Sequence, residues 1–333
     1  MRRFAVIAGV LVLLLGLSVV SAVSFGAQAI DLSRALGDPT SMDGIILWSA
    51  RAPRVALAAL AGGALAVVGV ALQALLRNPL ADPYVLGVSG GAAAGATLAI
   101  VAGASAFTAV GAALVPAAAL AGGLVATLLV YGIARAAGEV SGTTIILAGV
   151  IVNATFSSLI TFVKTLVSAA KAQELLFWLM GFLDVPSSAQ LGVCALWVAV
   201  GLAIIMADAG RLNLLALGRE PAEHLGVNVK TLERRVFFAA SAIAGAVVSL
   251  TGLIGFVGLI VPHAARRLLG PDHRSLVPAA MLLGAATLVA CDLAARVAFL
   301  YLGTEPPVGA VTALIGGPLF LVILYRTRAR RAL

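Results

Sequence analysis

Long apolar runs repeat along the whole chain and leave little sequence between them. A helix needs about 20 apolar residues to cross a bilayer. Hydrophobic residues make up 62% of the 333 residues and charged residues only 11%, whereas soluble domains carry about a quarter charged residues. The composition excludes a soluble protein and predicts an all-α, polytopic membrane protein. The apolar runs are 5–24, 53–76, 85–103, 107–134, 143–163, 189–207, 236–261, 276–300 and 308–325.

The number of crossings follows from where the basic loops fall. Five lysines and arginines lie in the loop 208–235, and three arginines follow Pro262 before residue 275. Both loops are expected in the cytoplasm by the positive-inside rule, so an even number of crossings separates them. Because 236–261 is too short for two full helices, we expect one short crossing, broken at TGLIGFVG and extended past Pro262 to about Leu269. This gives about ten transmembrane helices with both termini in the cytoplasm.

The excess of positive charge is explained by this topology. Most lysines and arginines behind the net charge of +8 fall on the cytoplasmic side, as is usual for a protein of the lipid bilayer. No nucleic-acid partner is therefore predicted. The run Met1–Val23 is longer than the apolar core of a signal peptide and lacks a cleavage context, so we interpret it as a retained first helix. Cys194 and Cys291 fall in separate runs, which predicts no disulfide and no metal site.

Small residues are dense within the apolar runs. The segment AGGALAVVG, 61–69, places three glycines within nine residues. Small side chains let helices approach closely in lipid. We interpret this segment as a helix-packing face.

Two arginines stand on the outer side. The stretch Gln28–Gly44 is predicted to be a polar loop, and Arg51 and Arg54 follow at the start of the second run. Arginines one turn apart can present forked donors to the carboxylates of a docking partner. The same spacing suits anchors whose side chains snorkel to lipid head groups. Spacing does not decide between the two.

The segment RNPLADP, 77–83, interrupts two apolar runs. Pro79 and Pro83 forbid a continuous helix, while Asn78 and Asp82 can cap helix ends. Irregular backbone at membrane depth is tolerated only where protein covers it or where it lines a water-filled cavity. The segment is therefore either a tight turn at the cytoplasmic surface or part of a pathway.

Two further polar segments contain possible short helices. In 212–235, leucines recur among charges, and Gly226 and Asn228 separate one or two amphipathic helices. Such helices suit a groove on a soluble partner, or they simply lie at the surface. In 164–184, near the outer face, the aromatic rings of Phe177 and Trp178 either pack or meet a large planar ligand. Lys171 either attracts an anion or is merely solvated.

Five segments, taken in order, carry a resemblance to a known family. They are RAPR (51–54), GVALQALLRNPLADPYVLGVSGGA (69–92), LGREPAEHLGVN (217–228), GLIGFVGLIVPHAARRLLGPDHR (252–274) and PPVGAVTALIGGPLF (306–320). Together they resemble the FecCD-type permeases of ABC importers for iron chelates, haem and cobalamin. The resemblance covers nearly the whole chain.

The resemblance implies an assembly as well as a fold. It implies a type II ABC importer permease fold in one transmembrane domain, 1–333, with a cytoplasmic coupling loop at about 208–235. Such permeases are homodimers in the bacterial inner membrane, with two cytoplasmic ATP-binding subunits and one periplasmic binding protein. A large metal chelate, namely haem, a ferric siderophore or cobalamin, is the implied cargo. The chain contains no Gly-x-x-x-x-Gly-Lys phosphate loop, so we expect neither an enzyme nor a cofactor, with ATP hydrolysis in a partner.

Motif positions extend the resemblance to individual residues. Arg51, Arg54 and Arg296 look like the arginines that engage acidic residues of the binding protein. Gate or pathway residues are implied at Thr143, Thr144, Lys171, Phe177 and Trp178. ATPase-coupling residues are implied at Gly218, Arg219, Glu220, Ala222, Leu225, Gly226 and Asn228. Glu220, Ala222 and Gly226 match a Glu-Ala-Ala-x-x-x-Gly pattern, although Pro221 stands at its second position.

Two acidic residues motivate a rival class, an ion-coupled secondary transporter. Asp208 and Asp292 lie close to membrane segments, where ionisable residues are costly and often functional. We expect both near helix ends beside water, where they can serve as caps. Uptake that needs a proton gradient but no ATPase would favour the rival class.

Overall fold

Helices and turns form the architecture. The computed structural model describes residues 2–104, 108–138 and 141–329, and no strand occurs among them. A π-helical turn, Ile46–Arg51, leads into the fourth helix, and a 3₁₀ turn, Pro83–Leu86, precedes the fifth. The predicted all-α class is confirmed. The helices are α1 (Arg2–Ser24), α2 (Leu32–Gly37), α3 (Met42–Ile45), α4 (Ala52–Leu75), α5 (Val88–Val101), α6 (Ala109–Ala136), α7 (Gly142–Thr165), α8 (Ala169–Met180), α9 (Ser188–Ala207), α10 (Ala209–Leu215), α11 (Arg219–His224), α12 (Val229–Thr251), α13 (Val257–Leu269), α14 (His273–Leu302) and α15 (Val308–Ala329).

Seven helical stretches among the described residues are long and apolar enough to cross a membrane. Six belong to α1, α6, α7, α9, α12 and α14, and the seventh runs from Met42 through α4 to Leu75. Shorter apolar helices are α5 and the stretch 308–322 of α15. The helix α13 adds 13 residues.

The prediction that Gln28–Gly44 is a polar loop is wrong in part. Short helices form within it because side chains cap their first turns: the Asp31 carboxylate accepts from the backbone N–H of Ser33 at 2.9 Å, and the Ser41 hydroxyl accepts from that of Gly44 at 3.1 Å. The second long helical stretch therefore begins at Met42. Our expectation placed that start at residue 53.

The helix α4 lies at the centre of the bundle, and glycines let its neighbours approach. The apolar window of the Met42–Leu75 stretch is 83% buried, against 11% for that of α1. A Cβ added at Gly69 would stand 1.8 Å from the carbonyl oxygen of Gly258 in α13, and one at Gly62 would stand 2.3 Å from that of Gly284 in α14. Backbone contact this close requires glycine. The predicted packing face at 61–69 is confirmed.

A non-helical turn separates α12 from the short helix α13. The chain turns at Gly252 and Phe256, whose φ angles are 63° and 68°. A Cβ at Gly252 would lie 2.2 Å from the carbonyl oxygen of Trp178, so only glycine fits this turn. The helix α13 then contains Pro262 and ends at Leu269. The predicted break at TGLIGFVG and the end at Leu269 are confirmed.

Polar residues gather at two opposite ends of the bundle. We call one the arginine end, because the last turn of α1, the start of α4 and the second half of α14 meet there around Arg51, Arg54 and Arg296. We call the other the loop end, where α10 meets the start of α14 through Asn213. Between the two ends, large apolar side chains of α1, α7 and α9 face outward. Such outward faces suit hydrocarbon.

Candidate functional sites at the two ends of the bundle

At the arginine end, Arg51 closes the carboxyl end of α1. Its guanidinium donates to the carbonyl oxygens of Val23 at 2.8 Å and Ser24 at 2.9 Å, and also to that of Gln28. The last carbonyls of a helix have no partner within the helix and carry partial negative charge. A cation from α4 therefore satisfies them, and only 6% of Arg51 is exposed.

Arg54 and Arg296 share one buried carboxylate. The Nε of Arg54 donates to Oδ1 of Asp292 at 2.9 Å, and the Nε of Arg296 donates to its Oδ2 at 3.0 Å. Arg54 also pairs with Glu305, and Arg296 donates to the carbonyl of Ala22 at 2.9 Å. Asp292 is fully buried. The cluster therefore ties α1, α4 and α14 together.

The sequence identified these three arginines but not their surroundings. We expected Arg51 and Arg54 to reach outward, as docking donors or lipid anchors, whereas the donors of Arg51 and Arg296 are used inside the chain. Asp292 was expected near a helix end beside water, and this is wrong because it lies buried well inside α14. Sequence reasoning missed Glu305. Its one signal was an acidic residue directly after a long apolar run.

The short helix expected within 164–184 forms as α8 and lines a cavity. The cavity has a volume of about 330 Å³ and is bordered by Glu174, Phe177, Trp178 and Asp184, among others. Phe177 is 42% exposed, and its ring lies 5.6 Å from that of Phe182. Phe177 and Trp178 thus both border the cavity, and Phe177 also packs against Phe182.

Lys171 anchors α8. Its Nζ donates to the carbonyl oxygen of Val101, at the end of α5, over 2.9 Å. A second cavity, of about 440 Å³, also borders Trp178 and Asp184 and extends to Pro116 and Gln190. Trp178 therefore borders both cavities.

Thr143 and Thr144 lie at the start of α7. The hydroxyl of Thr144 accepts from the backbone N–H of Ser141 at 2.9 Å, and that of Ser141 accepts from the N–H of Thr144 at 3.2 Å. This reciprocal pair is a capping box. Thr143 is exposed beside it. Thr144 therefore fixes the start of the helix, and Thr143 is the residue open to solvent.

At the loop end, the segment 208–235, which was expected to be a coupling loop, contains two short helices, α10 and α11, before α12 begins. The predicted separation at Gly226 and Asn228 is confirmed, because α11 ends at His224 and α12 begins at Val229. Asn228 caps α12, because its side chain accepts from the N–H of Thr231 at 3.1 Å. A second division, which was not predicted, lies between α10 and α11 at Gly218, whose φ is 128°. The division falls at Gly218 because only glycine adopts this conformation readily.

Apolar and charged side chains alternate around α11. Leu225 is 59% exposed and Ala222 is fully buried, while Glu220 and Gly226 are exposed. Arg219 pairs with Glu233 at 3.2 Å. The segment therefore holds itself in place with its buried side and presents an apolar leucine outward.

Buried polar contacts fasten this segment to the bundle, and sequence reasoning missed most of them. The Asp208 carboxylate, at the junction of α9 and α10, pairs with Arg211 at 2.6 Å and Arg235 at 3.4 Å. Its predicted place at a helix end is confirmed. The Asn213 amide donates to Asp272 at 2.6 Å, and this hydrogen bond is the main cause that lowers the pKa of the Asp272 carboxyl.

The segment RNPLADP leads from the surface into the bundle. Arg77 is exposed, whereas Ala81 and Asp82 are buried. The Asp82 carboxylate accepts from the N–H of Tyr84 at 2.9 Å, which confirms its capping role. Pro79 and Leu80 are exposed as well, so protein covers only the second half of the irregular backbone. The segment therefore combines a surface turn with a buried turn.

Known proteins resemble this chain over most of its length. The profile of the FecCD transport family matches residues 10–326. The chain belongs to the FecCD transport family. Every candidate site residue named above lies within the matched range.

Individual relatives in the FecCD transport family agree. The chain is 43% identical to the cobalamin import system permease protein BtuC of Halobacterium salinarum, over 87% of this chain and 75% of that protein. It is 35% identical to the hemin transport system permease protein HmuU of Yersinia pestis, over 97% and 96%. A solved structure of an inward-facing metal-chelate type ABC transporter matches with a TM-score of 0.83 and 32% identity, over 97% of this chain and 99% of that chain.

Proposed function

We propose that this chain is the membrane-spanning permease subunit of an ABC importer. It passes a large metal chelate, namely haem, a ferric siderophore or cobalamin, from a periplasmic binding protein to the cytoplasm. The observation that carries this proposal is the structural match to a metal-chelate type ABC transporter over 97% of the chain. The relatives named for cobalamin and hemin transport support the cargo class.

In this proposal the whole chain, 1–333, is one transmembrane domain with ten crossings. The seven long helices supply seven of them, and α5, α13 and α15 supply three shorter ones. The loop end is cytoplasmic, together with both termini, because basic residues concentrate there. Two copies form a homodimer in the bacterial inner membrane and enclose the pathway.

ATP hydrolysis acts on the permease at the loop end. The chain has no phosphate loop of its own, so two cytoplasmic ATP-binding subunits hydrolyse ATP. The segment Gly218–Asn228 seats in these subunits through exposed Leu225, as amphipathic helices insert into grooves. The buried Asp208 contacts pass the movement to α9 and α12.

The arginine end receives the binding protein. The arginine cluster keeps α1, α4 and α14 in register, and the partly exposed pair of Arg54 and Glu305 meets the incoming surface. The cavities beside α8 form the outer mouth, with Phe177 and Trp178 as its movable wall and Lys171 as its anchor. Thr143 faces the inner mouth.

The rival, an ion-coupled transporter, rests on the buried carboxylates of Asp208 and Asp292. Each carboxylate contacts two arginines. Protonating Asp292 would leave buried guanidinium charge uncompensated, which costs several kcal/mol. In this proposal the two carboxylates therefore hold helices together and do not carry protons.

Reconstituted transport tests the proposal. The chain, its cognate ATP-binding subunit and its binding protein are placed in liposomes, and haem, a ferric siderophore and cobalamin compete for uptake. We expect ATP-dependent accumulation of one cargo. ATP hydrolysis without accumulation would reject the cargo class, and uptake that needs no ATP but collapses with the proton gradient would establish the rival.

A further inference from the structure

A groove runs along the membrane-facing side between α9 and α12, towards the loop end. Its volume is about 370 Å³. Apolar residues form nearly all of its walls, and Arg234 and Arg235 border its loop end. The groove is lined by Trp197, Val200, Gly201, Ile204, Arg234, Arg235, Phe238, Ala239 and Ala242.

The apolar walls suit a hydrocarbon chain. Both helices belong to stretches long and apolar enough to cross the membrane, so the groove opens towards acyl chains. The small residues Gly201, Ala239 and Ala242 line the hollow, and Phe238 forms part of its wall. An unbranched acyl chain fits such a hollow without the desolvation cost that a polar ligand would meet.

The two arginines give this groove a charged end. Arg234 is exposed and has no ion-pair partner among the residues that the structure covers. Arg235 is 43% exposed and touches Asp208 at 3.4 Å, while Arg211 approaches the same carboxylate at 2.6 Å. The Asp208 carboxylate thus faces two arginines, and Arg234 adds a further positive charge beside Arg235 in the wall of the groove. The neighbouring Glu233 pairs with Arg219 at 3.2 Å.

We propose that this groove binds an anionic phospholipid. One acyl chain lies between α9 and α12, and the phosphate meets Arg234 and Arg235. The chemistry is complementary, because basic pockets between transmembrane helices on the cytoplasmic side bind anionic head groups. Arg235 also contacts Asp208 at the base of the coupling segment. The bound lipid therefore stabilises α12 against α9 where that segment begins.

Native mass spectrometry of the detergent-purified chain tests the site. Dioleoyl phosphatidylglycerol and dioleoyl phosphatidylcholine carry the same acyl chains and differ in head-group charge. We expect the chain to retain phosphatidylglycerol preferentially. Each basic residue near a membrane surface contributes about 1 kcal/mol, or about fivefold. Arg234→Gln should therefore weaken the preference about fivefold, and the pair Arg234→Gln with Arg235→Gln about twenty-five-fold.

Two further variants separate the charge from the groove. Ala242→Phe fills the hollow without altering charge, and it should reduce binding of both lipids. Arg267→Gln removes an exposed arginine of α13 at the same end, outside the groove, and should leave the lipid preference unchanged. Size-exclusion elution at the wild-type volume confirms folding, and Arg234→Gln alone serves if the paired variant aggregates.

Three results would overturn the proposal. Equal retention of the two lipids would show that charge plays no part. An unchanged preference in the folded arginine variants, or undiminished binding of both lipids by Ala242→Phe, would place the lipid elsewhere. Displacement of phosphatidylglycerol by millimolar inorganic phosphate would assign the arginines to a free anion.

Discussion

The two oxygens of the Asp292 carboxylate each accept from a different arginine. This arrangement compensates the charge of a side chain that is fully buried. The same arginines reach further, to Glu305 and to the last carbonyls of α1. Individual residues at this end therefore hold three helices together. Removing one of them leaves a buried charge without its partner.

Arg296→Met should destabilise the chain strongly. It leaves one oxygen of Asp292 and the carbonyl of Ala22 without their donor, and breaking a buried ion pair costs about 3–5 kcal/mol. Thermal unfolding in detergent measures the loss. Arg267→Met, at an exposed arginine, should change the midpoint little.

A second variant distinguishes a charge effect from a packing effect at this position. Asp292→Leu combined with Arg296→Met removes both charges, and it should regain a good part of the lost stability. An Arg296→Met variant as stable as the wild type would show that the cluster contributes nothing to holding the helices.

Arg54→Gln should slow association of the binding protein. The side chain of Arg54 is partly exposed beside Glu305, and charges at the rim of an interface act mainly on the association rate and its salt dependence. We expect association about fivefold slower, measured by surface plasmon resonance on the reconstituted permease.

The matched variant is Arg34→Gln, which removes an exposed arginine elsewhere at the arginine end. It should leave association near the wild-type rate. If Arg54→Gln also retains the wild-type rate and salt dependence, Arg54 has no part in docking.

Residue identities at this end could be predicted from sequence, but their partners could not. Arg54 and Asp292 are 238 positions apart, so no local pattern joins them. The burial of Arg51 depends on where α1 ends, because that helix supplies the carbonyls. Tertiary position, not spacing, decides whether an arginine faces solvent or closes a helix.

Among the helices, the shorter ones were the hardest to place. The break before α13 was predicted because an even number of crossings had to fit between two basic loops, within a run too short for two full helices. The short helices α2 and α3 escaped prediction because they depend on side-chain caps at Asp31 and Ser41 within a polar stretch. In the segment 208–235 the separation at Gly226 and Asn228 was predicted correctly, and the further division at Gly218 was missed. Both glycines adopt positive φ, and the sequence does not show that each of them separates two helices.

Leu225→Asp should prevent association with the ATP-binding subunit. The leucine follows α11 and is 59% exposed, and an apolar anchor in a partner's groove typically contributes about 2 kcal/mol or more. We expect the affinity for the ATP-binding subunit to fall at least tenfold while the permease itself stays folded. Co-purification at graded concentrations of the subunit measures the affinity.

Leu36→Asp makes the same change at a leucine that is 63% exposed at the opposite end. It should leave the ATPase complex intact. Equal affinity of Leu225→Asp and wild type for the ATP-binding subunit would mean that α11 is not the contact.

Across the described part of the molecule, the ion pairs lie at the two ends, and the long helices between them are predominantly apolar. Hydrophobic runs predicted this arrangement well, since the bilayer forces each long run into a helix. The direction of the molecule in the membrane is a separate matter. It rests on charge bias, because basic residues concentrate in the loop 208–235 and after Pro262.

Cysteine labelling tests that direction. The native Cys194 and Cys291 are buried, so a membrane-impermeant maleimide should leave the wild-type chain unlabelled. Leu36→Cys places an accessible thiol at the arginine end, and Lys230→Cys places one at the loop end. In intact spheroplasts we expect Leu36→Cys to react and Lys230→Cys to react only after permeabilisation. The reverse labelling pattern would show the opposite orientation in the membrane. The arginine end would then face the cytoplasm and could not meet a periplasmic protein.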